Sequence, residues 1–153
     1  MATDNIFSQS WARKTLDWLA SGTGSAPGTL YLAILSTVPT TDGGTGVVEF
    51  TNYSGSNRPT ITFGSATGTT ASLFQQIASS NSQSFSITGS DTILGVAVTT
   101  TQSKTTALTA TDFQTGGSVI WFGDIASATT GGTAVSNTDT LTFNTGEIVI
   151  KLF

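Results

Sequence analysis

Histidine and cysteine are both missing from this 153-residue sequence. Without cysteine the chain forms no disulfide and binds no metal through thiolates. Without histidine it has no Ser-His-Asp triad and no Cys-His pair, and any metal ion would have only oxygen ligands. These absences favour a protein that is not an enzyme and that carries no cofactor.

Charged residues are also scarce, at 9% of the chain against roughly 25% in a typical soluble protein. Lys and Arg number five and the net charge is −4, so we expect no basic face that would neutralise a run of phosphates. The acidic balance also disfavours anionic membrane surfaces, and no apolar run approaches the length that crosses a bilayer. We therefore expect neither nucleic acid nor a membrane as a partner.

The carboxylates offer the remaining catalytic chemistry, because a pair of them could serve as the acid and base of a glycosidase. None of the nine acids lies in a motif, and each lies in or beside a turn, where such side chains commonly accept hydrogen bonds from backbone amides. Asp42 precedes Gly43 and Gly44 but lacks the spaced ligands of a calcium loop. Turn formation is the favoured interpretation, and hydrolysis is the weakest functional hypothesis.

Serine, threonine and 17 glycines fill the space that charged residues leave. This composition is typical of short β-strands joined by tight turns. Turn signals recur at intervals of roughly 8–15 residues, as in β-sandwiches and barrels, and no repeat of fixed period is present. We predict a mainly β chain that forms a single β-sandwich, jelly-roll-like or related, with one N-terminal amphipathic α-helix.

The central strand is predicted at residues 29–37, Thr-Leu-Tyr-Leu-Ala-Ile-Leu-Ser-Thr. Leu30, Leu32 and Ile34 lie on one face, and the residues between them are also apolar. A strand that is apolar on both faces needs cover on both sides. We expect the preceding segment to cover the second face.

That preceding segment predicts the one convincing helix, at residues 4–21, with Thr3 or Asp4 as its cap and Gly22 at its end. Its apolar stripe is built by residues spaced three and four apart: Phe7, Trp11, Thr15, Trp18 and Leu19. The favoured interpretation is that this stripe packs on its own domain, and the alternative is that it docks into a neighbouring subunit. Residues 1–28 then form the helix and linker, and residues 29–153 form the sandwich domain.

Further strands are predicted from alternating or apolar runs: residues 47–50, 60–64, 85–87, 93–98 and 119–122. Residues 73–77 fit a strand or a helical turn, and the strand is favoured. Gly95 indicates a bulge or a close backbone contact. Residues 140–143 and 147–153, joined by Asn144-Thr145-Gly146, predict a C-terminal β-hairpin.

The order of these segments resembles a known family. The Leu-Tyr-Leu-Ala-Ile-Leu strand is followed by Thr37-Val38-Pro39-Thr40, and Tyr53 and Arg58 precede Thr-Ile-Thr-Phe-Gly at residues 60–64. Ile-Leu-Gly-Val-Ala, Ile-Trp-Phe-Gly-Asp-Ile and Asp-Thr-Leu-Thr-Phe-Asn-Thr-Gly-Glu-Ile-Val-Ile come later, at residues 93–97, 120–125 and 139–150. The chain resembles small virion proteins of tailed bacteriophages, which are often labelled tail-fibre-like and in some phages act as capsid decoration (cement) proteins. It departs from them in two loops, at residues 99–102 and 137–138.

The resemblance implies a structural virion protein, most simply a decoration protein on the capsid exterior, made in the host bacterial cytoplasm. Its implied partners are the major capsid protein and copies of itself, as a homotrimer. The alternative is a tail-fibre or tail-tip module that binds a host surface glycan, with Tyr53 and Trp121 as candidate contacts. The segment Met1-Ala2-Thr3-Asp4 begins no signal peptide, which agrees with a cytoplasmic origin.

The predicted interface consists of seven residues. Aromatic side chains of the helix segment, two loop residues and the apolar chain end make up this set: Phe7, Trp11, Trp18, Tyr53, Arg58, Leu152 and Phe153. A chain end in Leu-Phe is normally covered, and neutral sandwich edges are hidden when copies assemble symmetrically. We expect these residues to contact the shell or another copy of the chain.

Overall fold

The computed structural model describes residues 6–22, 26–67, 75–125 and 131–152. This part of the chain is mainly β and is built from antiparallel sheets, with the predicted helix near its start. No helix in these ranges is long and apolar enough to cross a membrane. The mainly β prediction is therefore confirmed.

Two helices and twelve strands make up the described ranges. The helices are α1 (Gln9–Ser21) and α2 (Ala110–Phe113). The strands of the first half are β1 (Ile6–Phe7), β2 (Leu30–Thr37), β3 (Val48–Glu49), β4 (Thr60–Ile61), β5 (Gln75–Ala78) and β6 (Gln83–Ser86). Those of the second half are β7 (Asp91–Ile93), β8 (Gly95–Thr99), β9 (Val119–Asp124), β10 (Thr133–Val135), β11 (Thr140–Phe143) and β12 (Val149–Leu152).

The predicted central strand, β2, lies inside a six-stranded sheet of order β1-β9-β8-β2-β3, in which β4 also pairs with β2. Leu32 and Ile34 enter one core cluster, while Ala33 and Leu35 enter another. The strand is thus covered on both faces, as its sequence required.

The second face of β2, formed by Ala33 and Leu35, is covered by other segments than predicted. It comes from Leu108, from Phe113 of α2 and from the half-buried Val38 and Val47, whereas Trp11 of α1 packs against the first cluster. The apolar pattern of β2 demanded a cover, but it carried no information on which later segment would supply it.

The start of α1 also differs from the prediction. The helix begins at Gln9, and residues 6–7 form the edge strand β1, in which Phe7 pairs with Trp121. Phe7 therefore belongs to the sheet, and the predicted caps Thr3 and Asp4 lie outside the described residues. The helix ends where predicted, since Gly22 has the left-handed φ of 66° that commonly follows a helix.

The second half of the chain folds back along itself. Four antiparallel strand pairs follow one another, β8 with β9, β7 with β10, β6 with β11 and β5 with β12. The connection at residues 100–118, which includes α2, closes this long ribbon. The predicted C-terminal hairpin is therefore wrong, because β11 and β12 pair with β6 and β5 rather than with each other. The favoured strand at residues 73–77 is confirmed from Gln75 onward by β5.

The first core cluster lies between the central sheet and the ribbon. The sheet contributes Leu32, Ile34, Val96 and Val98, and the ribbon contributes Phe85, Phe143, Ile148 and Ile150. The register of β8 and β9 shifts between Val98 and Thr99, which places both Ile120 and Trp121 in this cluster. Two antiparallel layers that share one core are the packing expected of a sandwich.

Candidate interaction surface

The first turn of α1 is fixed to the domain by hydrogen bonds from two buried serines. Ser8 precedes the helix, and its hydroxyl donates to the carbonyl of Val119, while its amide donates to Ile120 O at 3.0 Å. The hydroxyl of Ser10 donates to Gly117 O at 3.2 Å. A serine at the cap position also satisfies amides that a helix leaves unpaired. The base of α1 therefore has a defined position on the edge of the central sheet.

Beyond this first turn the described side chains of α1 are open to solvent. Leu16 and Leu19 have exposed fractions of 66% and 69%, and Ala12 and Ala20 on the same arc are exposed too. Trp11 is half-buried against the core, with the ammonium of Lys14 4.9 Å from the centre of its ring. The interpretation that the whole stripe packs on its own domain is wrong at Leu19.

The predicted contact residue Arg58 lies inside the domain, with an exposed fraction of 2%. Its Nε and Nη2 donate to the two carboxylate oxygens of Glu49, both at 2.7 Å. Its other hydrogen bonds go to three backbone carbonyls, those of Thr101 (3.0 Å), Ser103 and Thr106 (3.2 Å). Five contacts match the five N–H groups of a guanidinium. The Arg58 side chain is thus fully used within the chain and does not form part of the surface.

A second buried cation, Lys104, lies close to this pair. Its ammonium donates to the carbonyls of Thr51 (2.6 Å) and Tyr53 and lies 3.7 Å from the centre of the Tyr53 ring. Burial lowers the pKa of Lys104, while the charge of Glu49 opposes this shift. We call Glu49, Arg58 and Lys104 the buried charge cluster.

The buried charge cluster joins the chain before β4 to the irregular segment at residues 101–108. Glu49 accepts the amide of Leu108 at 2.6 Å, and backbone hydrogen bonds run from Arg58 to Gln102 and from Lys104 to Ser56. A buried charge is stable only when it is paired and hydrogen-bonded. Pairing here fixes a segment that has no regular strand partner of its own.

Sequence reasoning missed Glu49 and Lys104. A signal was present for Glu49, because it is the one charged residue in the apolar run Val-Val-Glu-Phe. A carboxylate in a buried strand needs a cation, and Arg58 is nine residues away. Lys104 lies among threonines in an irregular stretch, where nothing local distinguishes a buried lysine from an exposed one.

The other predicted contacts have different positions. Tyr53 and Trp121 are 4% and 2% exposed, so neither offers an aromatic face to a glycan. The indole of Trp121 and the hydroxyl of Tyr53 have no hydrogen-bond partner among the described residues. Leu152 ends β12 and its backbone pairs with Gln75. The side chains of Trp18 and Leu152, and the whole of Phe153, lie outside what the structure describes.

Four exposed or half-buried acids bind neighbouring backbone amides, as predicted for turns. Asp91, Asp112, Asp139 and Glu147 accept amide hydrogen bonds at 2.7–2.8 Å from residues no more than three positions away. The hydrogen bond from the Asn144 side chain, and then the one from its backbone amide, lower the pKa of Glu147. Within the described ranges no three carboxylates come together as metal ligands.

Buried charges thus hold loops of this β-domain, and apolar side chains of α1 are exposed to solvent. The family of the chain indicates its role. The model of the family described as podophage GP4 fiber I protein gp80 matches residues 6–151, and the chain belongs to this family. It is therefore a structural protein of a tailed-phage virion, as the sequence resemblance implied. No curated protein matches the chain.

Proposed function

We propose that this protein is a fibre subunit on the exterior of a tailed-phage particle, with no catalytic role. The family match over residues 6–151 carries the proposal, because the matching family is described as a fibre protein. The fold agrees with it, since exposed virion parts need a stable domain more than they need reactive groups.

In this role α1 attaches the subunit. Buried Ser8 and Ser10 fix the base of the helix, and Leu16 and Leu19 are presented to solvent beyond it. Amphipathic helices bind grooves through residues spaced three and four apart. A helix with a fixed base needs less ordering on binding than a free segment would, so its contacts contribute more fully to affinity.

The buried charge cluster supports the same role by holding a surface loop in place. It holds residues 101–108 through hydrogen bonds to backbone carbonyls, and the side chains of Thr101, Gln102 and Thr105 stay exposed. The loops are thus kept in one conformation while their outer surface remains uncharged. Such a surface suits close packing against another virion protein, because no charge has to be desolvated.

A second candidate is a decoration protein on the capsid exterior, bound to the major capsid protein. It is supported by the sequence resemblance to small phage virion proteins, some of which act as decoration proteins. A decoration protein that binds the assembled shell and not its parts stabilises the shell by mass action. In either location we propose a homotrimer, since threefold symmetry matches both fibres and threefold positions of an icosahedral shell.

Copy number separates the two locations. Quantitative mass spectrometry of purified particles, scaled to the major capsid protein, is expected to find few copies per particle for a fibre and hundreds for a decoration protein. Immunogold labelling should place the protein on the tail in the first case and over the whole shell in the second. Absence of the protein from purified particles would overturn both candidates.

A further inference from the structure

Asp42 is the only aspartate or asparagine of the chain that is followed by glycine. The carboxyl carbon Cγ of such an aspartate can bond to the amide nitrogen of the next residue and close a small cyclic imide. Glycine hinders this step least, because it has no Cβ beside the nitrogen and its backbone is conformationally permissive. Asp42 therefore has the sequence context that most favours this covalent change of the backbone.

Both reacting groups are free in the structure. Asp42 is exposed in the loop between β2 and β3. In the described part of the chain its carboxylate accepts no hydrogen bond, and the amide of Gly43 donates none. A Cβ placed on Gly43 would have only Thr41 Oγ1 within 4 Å, at 3.8 Å. Little therefore hinders the approach of Cγ to the amide nitrogen.

Three other aspartates are less suited to this reaction. The carboxylates of Asp112 and Asp139 accept amides that lie three residues earlier in the chain, both at 2.8 Å, which holds them away from the residue that follows. Asp91 precedes Thr92, whose branched Cβ crowds the amide nitrogen. Reactivity is thus concentrated at Asp42.

We propose that Asp42 is a site of spontaneous isomerisation to isoaspartate, which loosens the turn that supports α1 and α2. The Gly43 nitrogen attacks Cγ of the carboxylic acid, a C–N bond forms, and the proton of the nitrogen leaves with the hydroxyl as water. Water then opens the cyclic imide. Opening at Cγ restores aspartate, whereas opening at the main-chain carbonyl carbon leaves the chain running through Cβ and Cγ. The net reaction consumes nothing and needs no enzyme or cofactor.

The turn at residues 40–45 has little room for the additional main-chain carbon. It is closed by the hydrogen bonds from Thr40 N to Thr45 O and from Gly44 N to Thr41 O, both at 3.0 Å. A longer backbone between these partners cannot keep both bonds in their present geometry.

Two neighbouring elements depend on this turn. The main-chain carbonyl of Asp42 accepts the amide of Gln9, the first residue of α1, at 3.1 Å. Gly44 lies so close to Phe113 of α2 that a Cβ there would be 2.7 Å from Cδ2 of the ring. Isomerisation converts the carbonyl into a free carboxylate and displaces Gly44, so it should disturb both contacts and weaken the second core cluster.

The test is ageing of the folded natural chain in warm buffer at neutral pH. Isoaspartate is counted by a protein isoaspartyl methyltransferase with labelled S-adenosylmethionine, and its position is found by peptide mapping with electron-transfer fragmentation. We expect the label to rise with time and to map to residue 42. Gly43→Ala and Asp42→Glu should each lose most of the label, because a methyl group hinders the attack and a longer side chain must close a larger ring. Gly43→Ala should fold normally, since Gly43 has no left-handed φ and open space around it.

The isomerised form, separated from the natural form by ion exchange, gives the second readout. It should melt at a lower temperature than the natural form, and the Gln9 amide should exchange its hydrogen faster. Label no higher than in Gly43→Ala would overturn the proposed site, as would label that appears only when the chain is unfolded in urea. Equal melting temperatures and equal exchange would overturn the proposed effect on the turn. The copy number in particles tests the proposed function separately, since this reaction does not depend on it.

Discussion

Removing the Arg58 guanidinium should be among the most damaging single changes to this protein. In Arg58→Met the carboxylate of Glu49 stays buried without a cation, because the two groups are 2.7 Å apart and both side chains are fully inaccessible. Three backbone carbonyls lose their donor as well. Breaking a buried ion pair by removing one partner typically costs about 3–5 kcal/mol, a large part of the roughly 5–15 kcal/mol that stabilises a domain.

The assay is urea denaturation followed by tryptophan fluorescence, for which the buried Trp121 is a suitable reporter. A loss of this size corresponds to a melting temperature lower by about 6–20 °C for a chain of this length. Arg13→Met is the matched control, because Arg13 is exposed on α1 and such a change should cost no more than about 0.5 kcal/mol.

The double variant Arg58→Met with Glu49→Leu tests the cause. If the uncompensated carboxylate is responsible, the double variant should be more stable than Arg58→Met alone, since replacing a whole buried pair by apolar side chains is often tolerated. The reasoning fails if Arg58→Met unfolds within about 1 kcal/mol of the natural chain, the range of an exposed ion pair. It fails equally if the two single losses add fully in the double variant.

Three further predictions concern a glycine, a tyrosine and metal removal. Gly95→Ala should lower the free energy of unfolding by about 1–3 kcal/mol, because the new methyl would be 2.3 Å from Val38 Cγ2 and 2.6 Å from Gly123 O. Gly28→Ala, which has nothing within 4 Å of the new methyl, is the control in the same urea assay. Equal denaturation midpoints for the two variants would contradict the prediction. Burial, and then the charge of Glu49, raise the pKa of Tyr53 above its ordinary 10.0. The unfolded chain therefore releases the tyrosine proton at a lower pH than the folded chain does. The stability that the protonated Tyr53 contributes is complete below pH 10 and is lost as the pH rises further. Tyr53→Phe, which removes a hydroxyl without a hydrogen-bond partner in the described structure, should therefore leave stability at pH 7 unchanged or higher and make the loss above pH 10 less steep; a large loss at pH 7 would refute this. EDTA should leave the melting temperature unchanged, and a clear drop would mean that acids distant in sequence bind an ion.

Local pattern predicted the parts of the fold that depend on local burial. Residues 29–37 were recognisable as a strand covered on both faces, and β2 has this environment. Ile61 is buried and Thr60 and Thr62 are exposed, as their alternation indicated. Gly95 has the close backbone contact that a glycine in an apolar strand suggests. For the two strands the side-chain period carries the information, and for Gly95 the presence of a glycine within an apolar run carries it.

Pairing over long sequence distances was not predictable in the same way. The turn at residues 144–146 has the composition of a hairpin turn, yet β12 and β11 pair with strands more than fifty residues earlier. Their registers follow from the closure of residues 100–118, which brings the two arms of the ribbon together. That closure depends on Lys104 and Leu108 finding partners near Glu49, a non-local condition that no single segment encodes.

The candidate interaction surface, like the fold, could be predicted only in the parts that depend on local sequence. An amphipathic helix could be predicted at the N-terminal end, but the extent to which its own domain covers it could not. Arg58 could be picked out as unusual, but its placement on the surface was wrong because the partner Glu49 was not recognised. A charged residue can be assigned to the inside or the outside only together with its partner.

Two buried cations and two exposed leucines are exceptions to the usual placement of charged and apolar groups in this domain. Of the four cationic side chains that the structure describes, two are buried, while two leucines project from α1 at 66% and 69% exposure. The buried cations hold the loops whether or not the protein is assembled, because their partners belong to the same chain. The leucines contribute no such internal contact, so their apolar surface stabilises the protein only when another chain covers it. If α1 attaches the subunit as proposed, a substitution at Leu16 or Leu19 should weaken attachment and leave folding intact, whereas one at Arg58 should impair folding itself.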